Sequence, residues 1–367
     1  MSEGKGPLAG IRVMEFAGIG PSPFAGMLLA QMGAQVLRIE RAGHADYLPI
    51  PEKYDFLNTG KTRLTVDLKS EAGKARILAM AAAADAMLEG YRPGVMERLG
   101  LGPQALCGHN PRLVYGRVTG WGQDGPYAQE AGHDINYIAV TGALAAIGPA
   151  GGAPVPPLNL VGDFAGGVDL SFGIAAALLA ARITGKGQVV DAAMADCSAH
   201  LMTFLYGLHQ AGLWNLERGN NEADGGFPFY GVYQTRDRRW VAVAAAEMKF
   251  RLALLDGLGL DRALAQEVGD PAHWPRVRAS LAAAFATRDR DAWVAHLAGT
   301  DSCLSPVLDM AEAPGDPHAR ARAMFLSVDG VVRPAAAPRF SLPTAAPAPE
   351  DADDMLRRWG VAFPAAE

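Results

Sequence analysis

Residues 11–40 read "IRVMEFAGIGPSPFAGMLLAQMGAQVLRIE", and the order of patterns inside them sets the architecture of the chain. The apolar run IRVMEFA (11–17) reads as a buried strand, SPFAGMLLAQMGA (22–34) has helical spacing ending near Gly33, and QVLRIE (35–40) is a second strand. This is a βαβ opening. The rhythm continues outward with RLTVDL (63–68), an alanine-rich helix over 70–84, DAMLEGY (85–91), a short helix at 94–99 and the strand RLVYGRVTG (112–120). Strands alternating with helices predict a doubly wound, Rossmann-like α/β domain with a mostly parallel sheet covered on both faces.

After residue 160 the pattern turns helical, with helices expected over 164–183 and 194–213 around the short strand QVVDAA (188–193). The polar, glycine-rich ERGNNEADGG (217–226) marks a linker. Beyond it, FYGVYQTRDRRWVAVAAA (229–246) reads as two strands around a charged turn, followed by helices near 248–258, 277–287 and 290–298. The expected organisation is a large α/β domain over 1–215, a linker at 216–228, a smaller α+β domain over 229–325, and a segment 326–367 returning to the large domain. That last segment is rich in Pro and Ala and ends in the amphipathic DDMLRRWGV.

At 367 residues, half of them hydrophobic, the chain is long enough for two domains with ordered cores. A net charge of −6 without any Lys/Arg run offers no attraction to phosphate backbones or anionic lipid, so neither nucleic acid nor membrane is an expected partner. The three cysteines, Cys107, Cys197 and Cys303, are far apart and odd in number, which suits a reducing cytoplasm better than a disulfide framework or a zinc site. MSEGKGPLAG lacks the apolar core of a signal peptide, and FPAAE is not a peroxisomal tripeptide. The apolar run Phe164 to Ile183 contains Asp169 and several glycines, its unbroken apolar part is short for a bilayer, and it reads as a buried helix.

GIGPSPFAG (18–26), with Glu40 about twenty residues on, imitates a dinucleotide fingerprint, but Pro23 stands where the third glycine belongs. A tight strand-to-helix turn is the better reading. Arg38, Lys61 in NTGKTR, Arg92 in EGYRPG and Arg98 in MERLGLG fall at successive strand ends or short helices. Singly each is a solvated charge; together, where strand ends converge, they suit a polyphosphate. In AGHDINYIAV (131–140), His133 and Asp134 fall at a helix start, where an imidazole is kept neutral and able to accept a proton, while Asp134 is expected to cap the helix. Asn159 and Asp163 precede the longest apolar helix, and Glu247 ends a strand or begins the next helix.

AGHDINYIAVTGAL, PLNLVGDFAGG, TGKGQVVDAAMAD, DGGFPFYGVYQT and SPVLDMAEAPGDPHARAR, in this order, resemble the α-methylacyl-CoA racemases within the class III CoA-transferase superfamily. The resemblance runs from GIRVMEFAGIGPSPFAGMLLAQMGAQVLRIER to PRFSLPTAAP, nearly the whole chain. It implies two domains joined by long linkers, an interlocked homodimer, an acyl-CoA thioester substrate, and no cofactor or metal. His133 and Asp163 would be the two acid/base groups, with Glu247 orienting His133. Arg38, Lys61, Arg92 and Arg98 would contact the CoA phosphates, with Thr59 and Gly60 beside Lys61. Gly132, Asp134, Ile135, Asn136 and Tyr137 would line the thioester, and Asn159 and Tyr230 the substrate pocket.

The chemistry fits those residue types, because inverting a carbon next to a thioester carbonyl takes a base on one face and an acid on the other. The alternative within the superfamily is a CoA-transferase, for which Asp196 in DAAMAD matches the nucleophile position. Against it, AAAEMKF stands where a transferase has a glycine-rich loop. Many racemases follow the glutamate with Pro-Gln, whereas this chain has Met248 and Lys249. A non-catalytic CoA-binding scaffold would have lost the acid/base residues, and all three are present.

Overall fold

The computed structural model describes residues 5–43 and 50–361; the sequence readings on MSEG and FPAAE lie outside them. Strand β1 (Arg12–Phe16) leads through helix α1 (Pro21–Gln31) to β2 (Gln35–Arg41), as the opening pattern requires. There follow β3 (Lys61–Val66), α2 (Glu71–Ala83), β4 (Ala86–Glu89), α3 (Val95–Arg98), α4 (Pro103–His109) and β5 (Val114–Thr119). Helix α4 was not anticipated, although Pro103 at its first turn is a common start signal. The short α5 (Asp134–Ala139) and α6 (Ala143–Ala146) precede a single π-helical turn, Leu160–Phe164, which runs directly into α7 (Ala165–Thr184), then β6 (Val189–Ala193) and α8 (Met194–Leu201).

The six strands lie in the order β3-β2-β1-β4-β5-β6, every neighbouring pair parallel. Alternation along each strand feeds two cores. Met14, Phe16 and Leu37 face Met80, Met87 and Tyr115 on one side, while Val13 and Val36 face Leu29, Val114 and Ile174 on the other. β4 and β5 are buried at every position, as central strands covered by helices on both faces must be. The chain reverses its winding between β1 and β4. A crevice opens there at the C-terminal strand ends, the usual ligand position in such sheets.

The first compact unit comprises the chain through Thr141, Pro157–Met202, and onward from Leu326. In its last part the paired strands Phe325–Val328 and Val331–Pro334 precede the C-terminal helix Ala352–Arg358, whose Met355 and Leu356, with Trp359 just after it, complete the first core; the Trp359 indole donates to Gln35 Oε1 at 2.8 Å. The run Leu160–Thr184 is 25 residues, long and apolar enough to cross a membrane, contrary to the sequence reading of its length. Its inner residues Leu170, Ile174 and Leu178 belong to the second core against β5, β6 and α1, so here it is a core helix.

The second unit comprises Gly142–Pro156 and Thr203–Phe325. It holds α9 (Thr203–Gln210), then β7 (Tyr230–Gln234), β8 (Trp240–Ala244) and, after several helices, β9 (Leu304–Pro306), in an antiparallel sheet of order β7-β8-β9. The helices between β8 and β9 are α10 (Met248–Leu258), α11 (Leu264–Glu267), α12 (Trp274–Phe285) and α13 (Arg290–His296). Phe229, Val241, Leu254, Phe285 and Trp293 form its core. Two boundaries differ from expectation. The helix expected over 194–213 breaks at Met202, and the units divide there rather than near 215. Residues 142–156 group with the second unit, where the Arg218 guanidinium donates to the carbonyls of Ala145 and Gly152.

Candidate active site

A cavity of about 490 Å³ lies at the C-terminal ends of β1, β4 and β5, where the winding reverses. That volume suits a small-molecule site. Ile19, Arg92, Trp121, His133, Tyr137 and Asp163 are among its lining residues, so His133 and Asp163, thirty positions apart in the chain, meet in one space.

Each is placed by local chain chemistry. His133 is the residue preceding α5, with extended backbone, and its N–H donates to Asn136 Oδ1 at 3.1 Å, closing the first turn. The expectation that Asp134 caps this helix is corrected. Asp134 is the first helical residue, 6% exposed, and its Oδ2 accepts instead from the backbone N–H of Gly162 at 2.7 Å and of Asp163 at 2.8 Å. Nor does it line the cavity; neither does the exposed Ile135, whereas Gly132, Asn136 and Tyr137 do.

Tyr137 packs its ring against Gly120 and Gly132, where a Cβ would come within 2.1 and 2.7 Å of Tyr137 Cε1, and its hydroxyl donates to the Gly132 carbonyl. The glycine of AGHD is thus required by an aromatic ring as much as by a turn. Burial pushes the Tyr137 phenol above its ordinary pKa, with the Asp163 charge adding to it.

Asp163 sits in the π-helical turn, half-buried, its Oδ2 accepting from Asn159 Nδ2 at 3.2 Å. Gly20, at φ 65°, makes room for it: a Cβ there would stand 3.0 Å from Asp163 Oδ2. The GIG turn that imitates a dinucleotide motif therefore serves a carboxylate. Burial raises the Asp163 pKa; the Asn159 hydrogen bond opposes that, the Asp134 charge adds to it and His133 opposes it. A carboxyl so placed moves toward the range in which it can both give and take a proton near neutrality.

The four expected phosphate-binding cations separate into two kinds. Arg92 lines the cavity and is exposed; Arg98 is exposed on α3, and neither has a side-chain ion pair among the described residues. Arg38 and Lys61 are only 3% and 2% exposed. Lys61 Nζ lies 2.6 Å from Glu15 Oε2 and donates to the Pro23 carbonyl at 2.9 Å, while Arg38 meets Glu15 Oε1 at 3.2 Å and Glu40 Oε1 at 3.1 Å. In this arrangement both cations meet carboxylates inside the fold, unlike Arg92 and Arg98. Thr59 accepts from Arg333 at 3.1 Å, and Gly60 is buried against Ala346, so these two meet the C-terminal segment.

In the second unit, Glu247 is the residue preceding α10 and is exposed, resolving its ambiguous reading in favour of the helix start; Tyr230 opens β7 and is 42% exposed. Asp196, in the first turn of α8, is exposed and is not among the residues lining the cavity of His133 and Asp163. Trp121 was missed by the sequence reading. Its ring stands edge-on to Tyr137 at 4.8 Å and beside Tyr127 at 5.3 Å, and the signal was its position just past β5, where parallel strands deliver ligand contacts.

This doubly wound sheet, with a histidine and a carboxylate at its switch point, can be set beside known proteins. The sequence matches CoA-transferase family III over residues 8–352, and the chain belongs to that family. It is 41% identical to the α-methylacyl-CoA racemase of Mus musculus over 363 residues, 96% of this chain and 93% of that one. To the Homo sapiens α-methylacyl-CoA racemase it is 41% identical over 323 residues, 87% of this chain and 82% of that one. Among solved structures, a CaiB/BaiF family protein from Brucella suis superposes with a TM-score of 0.80 at 26% identity, covering 97% of this chain and 100% of that one.

Proposed function

We propose that this chain is a racemase of 2-methylacyl-CoA thioesters, working by two-base proton transfer without a metal or redox cofactor. The observation that carries the proposal is the meeting of His133 and Asp163 in one cavity of the CoA-transferase family III fold. One base removes the α-proton, and the electron pair moves onto the thioester oxygen to give a planar enolate. The other base returns a proton to the opposite face of the same carbon. Unlike groups in unlike surroundings can hold one protonated while the other is not. Glu247 is assigned the orientation of His133, and Arg92 with Arg98 the CoA phosphates. Asn159, which holds Asp163 Oδ2, and Tyr230 are assigned to the acyl pocket.

Incubating a single epimer of a 2-methylacyl-CoA in deuterated water tests this. Epimerisation with deuterium at the α-carbon is expected; the absence of both would defeat the proposal. The second reading, a CoA-transferase acting through Asp196, is favoured only by family membership. It requires Asp196→Ala to be the lethal change and a carboxylate acceptor to be necessary.

The same reading includes a homodimer of interlocked chains in the cytoplasm. Its support is the outward face of α7, where Val168, Phe172, Leu179 and Ile183 recur at helical spacing and are 49, 73, 61 and 76% exposed. A monomer rarely leaves such a stripe in water. Light scattering should give twice the chain mass, and Phe172→Glu with Leu179→Glu should reduce it; a monomeric parent chain would remove the dimer.

A further inference from the structure

Asp134 adjoins His133 in the chain, yet its carboxylate is committed to the other base. Its Oδ2 accepts from the N–H groups of both Gly162 and Asp163, and the side chain is shut away from solvent. Those two amides lie in the first turn of the Leu160–Phe164 segment, where no preceding helical carbonyl is available to them. A buried carboxylate on two such donors makes charge-assisted bonds, the stronger kind. Gly162 is what allows the approach. A Cβ there would stand 2.5 Å from Asp134 Oδ2 and 2.9 Å from its Cγ. Asp163 is thereby gripped from two sides, its carboxylate by Asn159 and the space at Gly20, its backbone by Asp134.

We infer that Asp134 is a positioning residue for Asp163, a strut from the helix that begins at His133 to the turn that carries the opposite base, fixing the separation across which one carbon is inverted. The inference rests on the racemase reading. Capping its own helix is not the role of Asp134, because His133 and Asn136 close that turn without it. The consequence is asymmetric. Losing the strut displaces Asp163, whereas His133 keeps its own closing bond.

The test uses the full chain and follows α-deuterium uptake separately from each epimer, with Asp163→Ala identifying the epimer that Asp163 serves. Asp134→Ala and Gly162→Ala should each lower uptake from that epimer by about 100-fold, the scale of a misplacement near 1 Å, and lower uptake from the other epimer far less. KM for the thioester should change little. Asp134→Asn keeps an acceptor oxygen and should retain most of the rate, with the acid limb of its pH profile moved to lower pH. The charged groups acting on Asp163 are Asp134 and His133, both at the start of α5, and removing the Asp134 charge removes a contribution that raises the Asp163 pKa. Equal loss from both epimers with weakened thioester binding, or no loss in Asp134→Ala, overturns the strut. If the parent chain exchanges neither epimer, the racemase reading itself fails and the strut falls with it.

Discussion

His133→Ala and Asp163→Ala are each expected to slow racemisation by about 10²–10⁴-fold, the range supplied by one positioned acid or base, while leaving acyl-CoA binding in place. The reason is geometric. Both side chains line the same cavity, and inversion needs a proton taken on one face and delivered on the other. Each single variant keeps one base, so residual deuterium uptake without inversion should persist from opposite epimers in the two variants. Chiral separation of the thioesters, with mass analysis of the α-carbon, measures this. Loss of uptake from the same epimer in both variants would mean that the two groups do not act on opposite faces.

The second large effect falls on stability. Lys61→Met is expected to destabilise the fold by about 2–4 kcal/mol, because it takes from buried Glu15 one of its two cations, the one at 2.6 Å, and leaves only Arg38 at 3.2 Å. Burial lowers the Lys61 pKa against the pull of Glu15. Glu15→Gln should cost a similar amount, and the double variant should cost less than the sum of the two. Urea unfolding measures all three. Gly26→Ala is an independent probe, since a Cβ at that position would stand 1.7 Å from Glu15 Oε2. If Lys61→Met unfolded at the parental midpoint and instead raised KM for the thioester, Lys61 would be a phosphate ligand after all.

Most of the large unit was legible in the chain because its signals are local. Strands buried on both faces must be apolar throughout, and the helices between them must cover the sheet, so the alternation from residue 11 to 120 admits few arrangements. Helix α4 escaped because seven residues carry too little periodicity to stand out. The break at Met202 escaped because nothing in LMTF signals an end, and residues 142–156 group with the second unit, where their partners include Arg218, more than sixty positions away.

The site was legible in part. His133 and Asp163 were singled out from helix-start chemistry and family resemblance, and the fold brings them together. Asp134 was read as a cap, since a carboxylate at a helix start most often is one; its true partners are 28 and 29 residues away. The cations show the same difficulty. Arg38, Lys61, Arg92 and Arg98 all stand at strand ends or short helices, and no property of the residues themselves tells a charge facing a ligand from one facing Glu15.

By itself, then, the sequence determined which segments are strands and helices, that the sheet is parallel and covered, and which side chains carry acid/base chemistry. Those properties follow from periodicity and residue type, which are written locally. Only the tertiary structure decided which of those groups share a cavity, which cations the core consumes, and that Asp134 bridges to Asp163 rather than capping its helix. Such partnerships depend on burial and on distances between remote segments, and these exist only once the chain has closed around them.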